Sequence, residues 1–384
     1  MTALVLASGS GLLAARPAQA AFPGADGAIV VSTTRLPTAW RCPVRHHGAQ
    51  LVLVHTGAPP ALLTCVAGSA VHPFISPDGS EIVFAVHNGA WSSRLYTLPT
   101  TAPPGRHRLA TPVSVSAPGA TDDDPSWSPA GDGTIVFQRS VSGGPSQLFF
   151  ENVADPAGAS PVFATPTGSD DTAPVFDPAD ANLIAFVRPV GGNSHIFTYE
   201  LVTHVLQDLS AQGDGGRPFG DTKPDFAPTG DGIVFASDRM CRSEELFTMT
   251  LQGTAQTPVS SPRRVGHGRA SCASGADDPV FSPEGDALAF DDTQGQGCPE
   301  VFIVPVAPGP SGVRTTGRPH TVGSGDEPDW APVVDPPADA PETSLPIALP
   351  VVGVAVATSG LYVRRRRARR RAFLTSKADT SVPG

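Results

Sequence analysis

Aspartates crowd the approach to a recurring proline. Asp122, Asp123 and Asp124 precede Pro125, Asp171 precedes Pro174, Asp221 precedes Pro224, Asp277 and Asp278 precede Pro279, and Asp326 precedes Pro328. The offset is always one to three residues. If the fold brings these places together, their carboxylates converge in a ring. Such a ring suits a hard cation such as Ca²⁺, which takes oxygen ligands, or a cationic peptide or partner. Each aspartate taken singly has a plainer use, bonding its own backbone to cap a tight turn. Under either reading Asp122, Asp171, Asp221, Asp277 and Asp326 mark a negatively charged mouth and are the candidate binding residues. No motif demands a cofactor, and Ca²⁺ is the ion this set would take.

Other chemistry finds little support. There is no G-x-S-x-G elbow for a nucleophilic serine. Ten histidines are scattered, with His46 and His47 adjacent in a loop and no H-E-x-x-H pair. Only His72 falls on the inner-strand segments, so neither a catalytic set nor a histidine-built metal site is expected. The competing class is an enzyme, a metal-dependent carbohydrate-active or lyase-like protein working through the same carboxylates.

The element that must position the aspartates is a repeat. P-x-Φ-x-P, with Φ an aromatic residue or Ile, begins at Pro73, Pro125, Pro174, Pro224, Pro279 and Pro328, at intervals of 52, 49, 50, 55 and 49 residues. After each complete copy comes a turn such as P-D-G or T-G-D-G, then a strand ending in Phe (I-V-F, I-A-F, L-A-F). A loop then leads to a third apolar strand (L-Y-T, L-F-F, I-F-T, V-F-I) and a variable fourth. Four short antiparallel strands in about 50 residues is the blade of a β-propeller. Proline is tolerated on the innermost strand because that strand is an edge. Ile75, Trp127, Phe176, Phe226, Phe281 and Trp330 would then fill the core between blades.

The sixth copy has no strands after it. Conversely, A-D-G-A-I-V-V-S-T-T-R (25–35) and Q-L-V-L-V (50–54) match a second and third strand without an inner one. The expected fold is therefore all-β, a six-bladed propeller over residues 21–332, closed by amino- and carboxyl-terminal strands sharing one blade.

Both ends read as addresses. Residues 1–20 hold an apolar stretch and A-Q-A at Ala18–Ala20, a signal-peptide pattern. Residues 333–344 are a Pro-rich acidic linker. Residues 345–363 are uncharged and about 28 Å long as a helix, enough to cross a hydrocarbon core of about 30 Å. Seven arginines open the basic tail, 364–384, so the tail lies on the cytoplasmic side and the body outside. Ala340–Ser344 (A-P-E-T-S) resembles a sortase sorting signal, which would add attachment to the cell wall. Between residues 21 and 344 there are 35 acidic against 17 basic residues, and so acidic a body excludes a nucleic-acid partner. Five cysteines outside the cell imply disulfides. Cys241 and Cys272 hold the places in one repeat that Cys42 and Cys65 hold in the shared blade, so Cys241–Cys272 and Cys42–Cys65 are the predicted pairs.

The repeat, with S-P-D-G at 76–79 and S-P-E-G at 282–285 after the inner strand, resembles the TolB-type propeller repeat, also present in prolyl-oligopeptidase-like peptidases. The likeness covers roughly residues 25–332. It lacks TolB's amino-terminal α/β domain and adds a membrane span. The resemblance implies a propeller on a stalk. The expected function is a non-catalytic module of the cell envelope, a monomeric body binding a protein or peptide.

Overall fold

The structure is a computed structural model. It describes residues 22–333 apart from 37–47, 55–58, 90–91, 101–110, 113–119, 142, 155–157, 165–167, 212–218, 241–242, 253–256, 259–262, 266–274, 294–298 and 310–311. The predicted leader, most of the linker, the apolar span and the basic tail lie outside the described residues. No helix among the described residues is long and apolar enough to cross a membrane.

Six antiparallel sheets follow one another along the chain. Their inner strands are Ser69–Ile75, Ala120–Trp127, Thr172–Asp177, Asp221–Phe226, Ala276–Phe281 and Asp326–Pro332. The last of these pairs not with its successor but with Asp26–Thr33, near the other end of the chain, with Ile29 opposite Trp330 and Val30 opposite Asp329. Gln50–Val54 and Ala61–Leu62 complete that sheet. The expected closure is therefore present, and we number this blade 1, with blades 2 to 6 following in chain order.

Apolar packing explains why the sheets stand face to face. The second strand of each blade is buried on both faces, so it reads as a continuous apolar run. Six clusters fill the six junctions. Trp127 packs on Val83, Ala85 and Leu95 of blade 2, and Phe176 on Val136 and Leu148 of blade 3. Phe226 meets Ala185 and Ile196, Phe281 meets Val234 and Leu246, and Trp330 meets Ala289 and Ile303. Ile75 closes the circle against Val30 and Leu51 of blade 1. Each Φ thus enters the preceding blade, and burying a side chain of this size contributes about 1.5–3 kcal/mol.

Polar links accompany this packing. The residue before Φ reaches across: Phe176 N–H donates to Ser126 Oγ (3.3 Å), Phe281 N–H to Asp225 Oδ2 (2.9 Å) and Ile75 N–H to Asp329 Oδ2 (2.6 Å). Between blades 2 and 3, Trp127 Nε1 donates to the Phe74 carbonyl at 3.0 Å.

The prolines do more than end a ladder. In all six blades the pairing of the inner strand slips around the proline, between Val71 and Phe74 in blade 2 and at the matching residues elsewhere. The residue preceding the proline takes a positive φ in all six blades: His72 47°, Asp124 45°, Ala173 47°, Lys223 49°, Asp278 45° and Glu327 50°. Proline has no N–H to give and its ring bars right-handed helical geometry to its predecessor. A bulge accommodates both constraints and re-aims one side chain per blade. Six such non-glycine residues hold a conformation that costs about 1–3 kcal/mol each elsewhere in proteins.

Candidate functional site: the channel ring

Those six residues, with their prolines, line a cavity of about 110 Å³ on the propeller axis. Around the axis the order is Glu327, His72, Asp124, Ala173, Lys223 and Asp278, one from each of blades 1 to 6. Charge alternates along most of the ring. His72 Nε2 lies 3.0 Å from Glu327 Oε1, and His72 Nδ1 lies 3.1 Å from Asp124 Oδ1. Ala173 leaves room, and Lys223 Nζ spans it to come within 3.7 Å of Asp124 and 3.2 Å of Asp278. Only Asp278 and Glu327 stand side by side with like charge.

The electrostatics follow from this order. Burial alone would drive the proton from His72, but Asp124 and Glu327 hold its pKa well above the ordinary histidine value. Lys223 is likewise kept charged against burial by Asp278 and Asp124. Burial would raise Glu327, yet the facing His72 holds it below the usual range. Across blades 6 and 1 the balance reverses. Burial and neighbouring carboxylates push Asp277 and Asp278 up to about 6, Asp326 to about 7 and Asp291 to about 9. Asp291 Oδ1 is buried without a hydrogen-bond partner among the described residues.

None of the five aspartates expected to form the ring lines the cavity. Asp122, Asp171 and Asp221, three residues before their prolines, turn into the blades. Asp122 takes both Nε (2.6 Å) and Nη2 (2.9 Å) of Arg139, and Asp171 takes Nε and Nη2 of Arg188, both at 2.7 Å. Asp221 accepts from Arg239 and, at 2.7 Å, from Ser210 Oγ. Each guanidinium lies over phenylalanine rings at 4.9–5.5 Å: Phe137 and Phe149, then Phe163, Phe186 and Phe197, then Phe219, Phe235 and Phe247. An aspartate so placed but stripped of its guanidinium costs about 3–5 kcal/mol, so these three hold the blades and are not open to a ligand. Asp277 caps the bulge, its Oδ1 accepting Asp278 N–H at 2.9 Å. Asp277 and Asp326 remain beside the ring as part of the acidic arc.

The ring residues carried one sequence signal, immediate precedence to a repeat proline, which outweighs residue type. Lys223 and Glu327 share that place without being aspartate, so the pattern of aspartates does not reveal them. Cys65 is buried and disulfide-bonded, whereas Cys42, Cys241 and Cys272 lie outside the described residues, so the two pairings stay proposals.

No protein-family model matches the chain, and no curated protein matches its sequence. Its architecture does have solved counterparts. TolB from Acinetobacter baumannii is similar over 80% of this chain and 67% of its own, at a TM-score of 0.57 and 17% identity. The fold is that of a TolB-like propeller. A protein of Agrobacterium tumefaciens described as a TolB is similar over 81% of this chain and 99% of its own, with a TM-score of 0.54 and 16% identity. Hydrazine synthase of Kuenenia stuttgartiensis shares the architecture over 86% of this chain and 52% of its own, at a TM-score of 0.53 and 13% identity. Identities this low establish the TolB-like fold and leave the activity to the site itself.

Proposed function

We propose that the chain is a membrane-tethered, extracytoplasmic propeller that binds a cationic segment of an envelope protein or peptide at its channel, without catalysis of its own. The acidic arc carries this reading. Asp277, Asp278, Asp291 and Asp326 crowd one side of the ring, and each is held above the ordinary carboxylate range by burial and by neighbouring carboxylates. An ammonium or guanidinium group beside Asp278 and Glu327, which line the cavity, would relieve that repulsion. A cavity of about 110 Å³ suits the end of a Lys or Arg side chain, not a folded domain. The acidic body would steer such a partner and repel nucleic acid. Residues 345–363 would hold the monomeric body at the membrane.

Full-length chain used as bait in intact envelopes tests this. The wild type should retain a partner that Asp277→Asn/Asp326→Asn loses while keeping its melting temperature. Equal retention by the variant contradicts the reading. So does turnover of an envelope polysaccharide that is abolished by a chelator, which would favour the enzyme class.

A further inference from the structure

A second cluster sits in the neighbouring sector of the channel mouth, on blades 2 and 3. His72 lies at the bulge of the inner strand Ser69–Ile75, and His87 at the end of the adjacent strand Glu81–His87. Asp123, from the inner strand of blade 3, stands between them. Its Oδ1 is 2.7 Å from His72 Nδ1, and its Oδ2 is 2.7 Å from His87 Nε2. One ligand atom from each of the three residues lies within 4.8 Å of the others. The two rings meet edge to face at 5.9 Å, which keeps both nitrogens directed at the carboxylate without stacking.

We propose that His72, His87 and Asp123 form a binding site for a divalent transition metal of the Zn²⁺ type, distinct from the acidic arc. Two imidazoles and one carboxylate are a donor set for Zn²⁺ or a similar first-row ion rather than for Ca²⁺, which prefers oxygen alone. Three protein ligands leave the fourth position of a tetrahedral ion to water.

The surroundings are those that orient metal ligands. His72 Nε2 faces Glu327 Oε1 at 3.0 Å, so Nε2 keeps its proton there and an ion at the site would take the place of the Nδ1 proton. A carboxylate behind a ligating histidine fixes its tautomer and ring orientation in this way. Glu327 Oε2 also accepts His72 N–H at 2.7 Å, and Asp123 Oδ1 accepts Asp124 N–H at 3.0 Å. Both inner-strand ligands are therefore held from the backbone side. His87 is the most accessible of the three, its side chain 36% exposed, which gives the ion a way in from solvent. A plain ion-paired cluster accounts for the short contacts. The two accounts differ in that an ion-paired cluster alone binds no metal saturably.

The test is titration of the chelator-stripped full-length chain with Zn²⁺ by calorimetry, and with Co²⁺ by visible absorption. The wild type should bind one equivalent and give the intense bands of tetrahedral Co²⁺. His87→Gln, the change least able to disturb the fold, should weaken Zn²⁺ affinity by at least about 100-fold, and Glu327→Gln by about 10- to 100-fold. Asp326→Asn should leave it within about threefold. Zn²⁺ should also raise the melting temperature of the wild type and not of His87→Gln. Absence of saturable Zn²⁺ binding by the wild type overturns the proposal. So does unchanged affinity in His87→Gln, or equal competition by Ca²⁺.

Discussion

The residue before each repeat proline and the residue three before it have opposite fates, although both are often aspartate. Asp124 and Asp278 face the axis, while Asp122, Asp171 and Asp221 are buried against arginines. The signal for the second group was present in the sequence. Phe137-Gln-Arg139 and Phe186-Val-Arg188 follow the repeats that carry it, and no such arginine follows Phe84 or Phe290. What the sequence could not show was the bulge, which turns the chain between the two positions. His87 was hidden because its contact with Asp123 crosses from one blade to the next. Asp225 allows a prediction at this scale. Burial pushes its pKa up to about 8 in the fold, against about 4 for an unfolded aspartate. The folded state therefore keeps a proton that the unfolded state releases, and this group's contribution to stability falls as pH rises from about 4 to about 8. Asp225→Asn mimics the protonated acid and can still accept Phe281 N–H. Urea denaturation should show the variant close to wild type at pH 5 and more stable at pH 8. The opposite order would contradict a protonated Asp225.

Strands were legible where their pattern was strong. The P-x-Φ-x-P segments, the runs ending in Phe, and the pairing of Asp26–Thr33 with Asp326–Pro332 all follow from spacing and apolar content. The fourth strands were not, because two-residue pairings such as Ala61–Leu62 and Ser160–Pro161 carry no periodicity. The closure is tight enough to test by one atom. A Cβ on Gly27 would lie 2.7 Å from the Ala331 carbonyl oxygen and 3.0 Å from the Pro332 carbonyl carbon. Both are backbone of the partner strand, so they cannot rotate away. Gly27→Val should cost about 1–3 kcal/mol, read as a lower urea midpoint with the slope unchanged. A neutral result would show that the two strands are not in this register.

At the scale of the molecule, six similar blades generate a ring of equivalent positions, and function is written in how those positions differ. Ala173 leaves a gap, Lys223 and His72 supply positive charge, and the excess of carboxylates gathers on blades 6 and 1. This asymmetry could not be read from the net charge, which counts buried and channel-facing acids alike. It predicts that binding is selective for positive charge and local to one arc. The most direct measurement is fluorescence anisotropy of matched labelled peptides, one bearing several lysines and one with alanine in their place, titrated with the full-length chain. The lysine peptide should bind more tightly, lose affinity as salt is raised, and lose its advantage on Asp278→Asn/Asp326→Asn. Equal binding of the two peptides, or an advantage that survives in the variant, would contradict the channel arc as the recognition site.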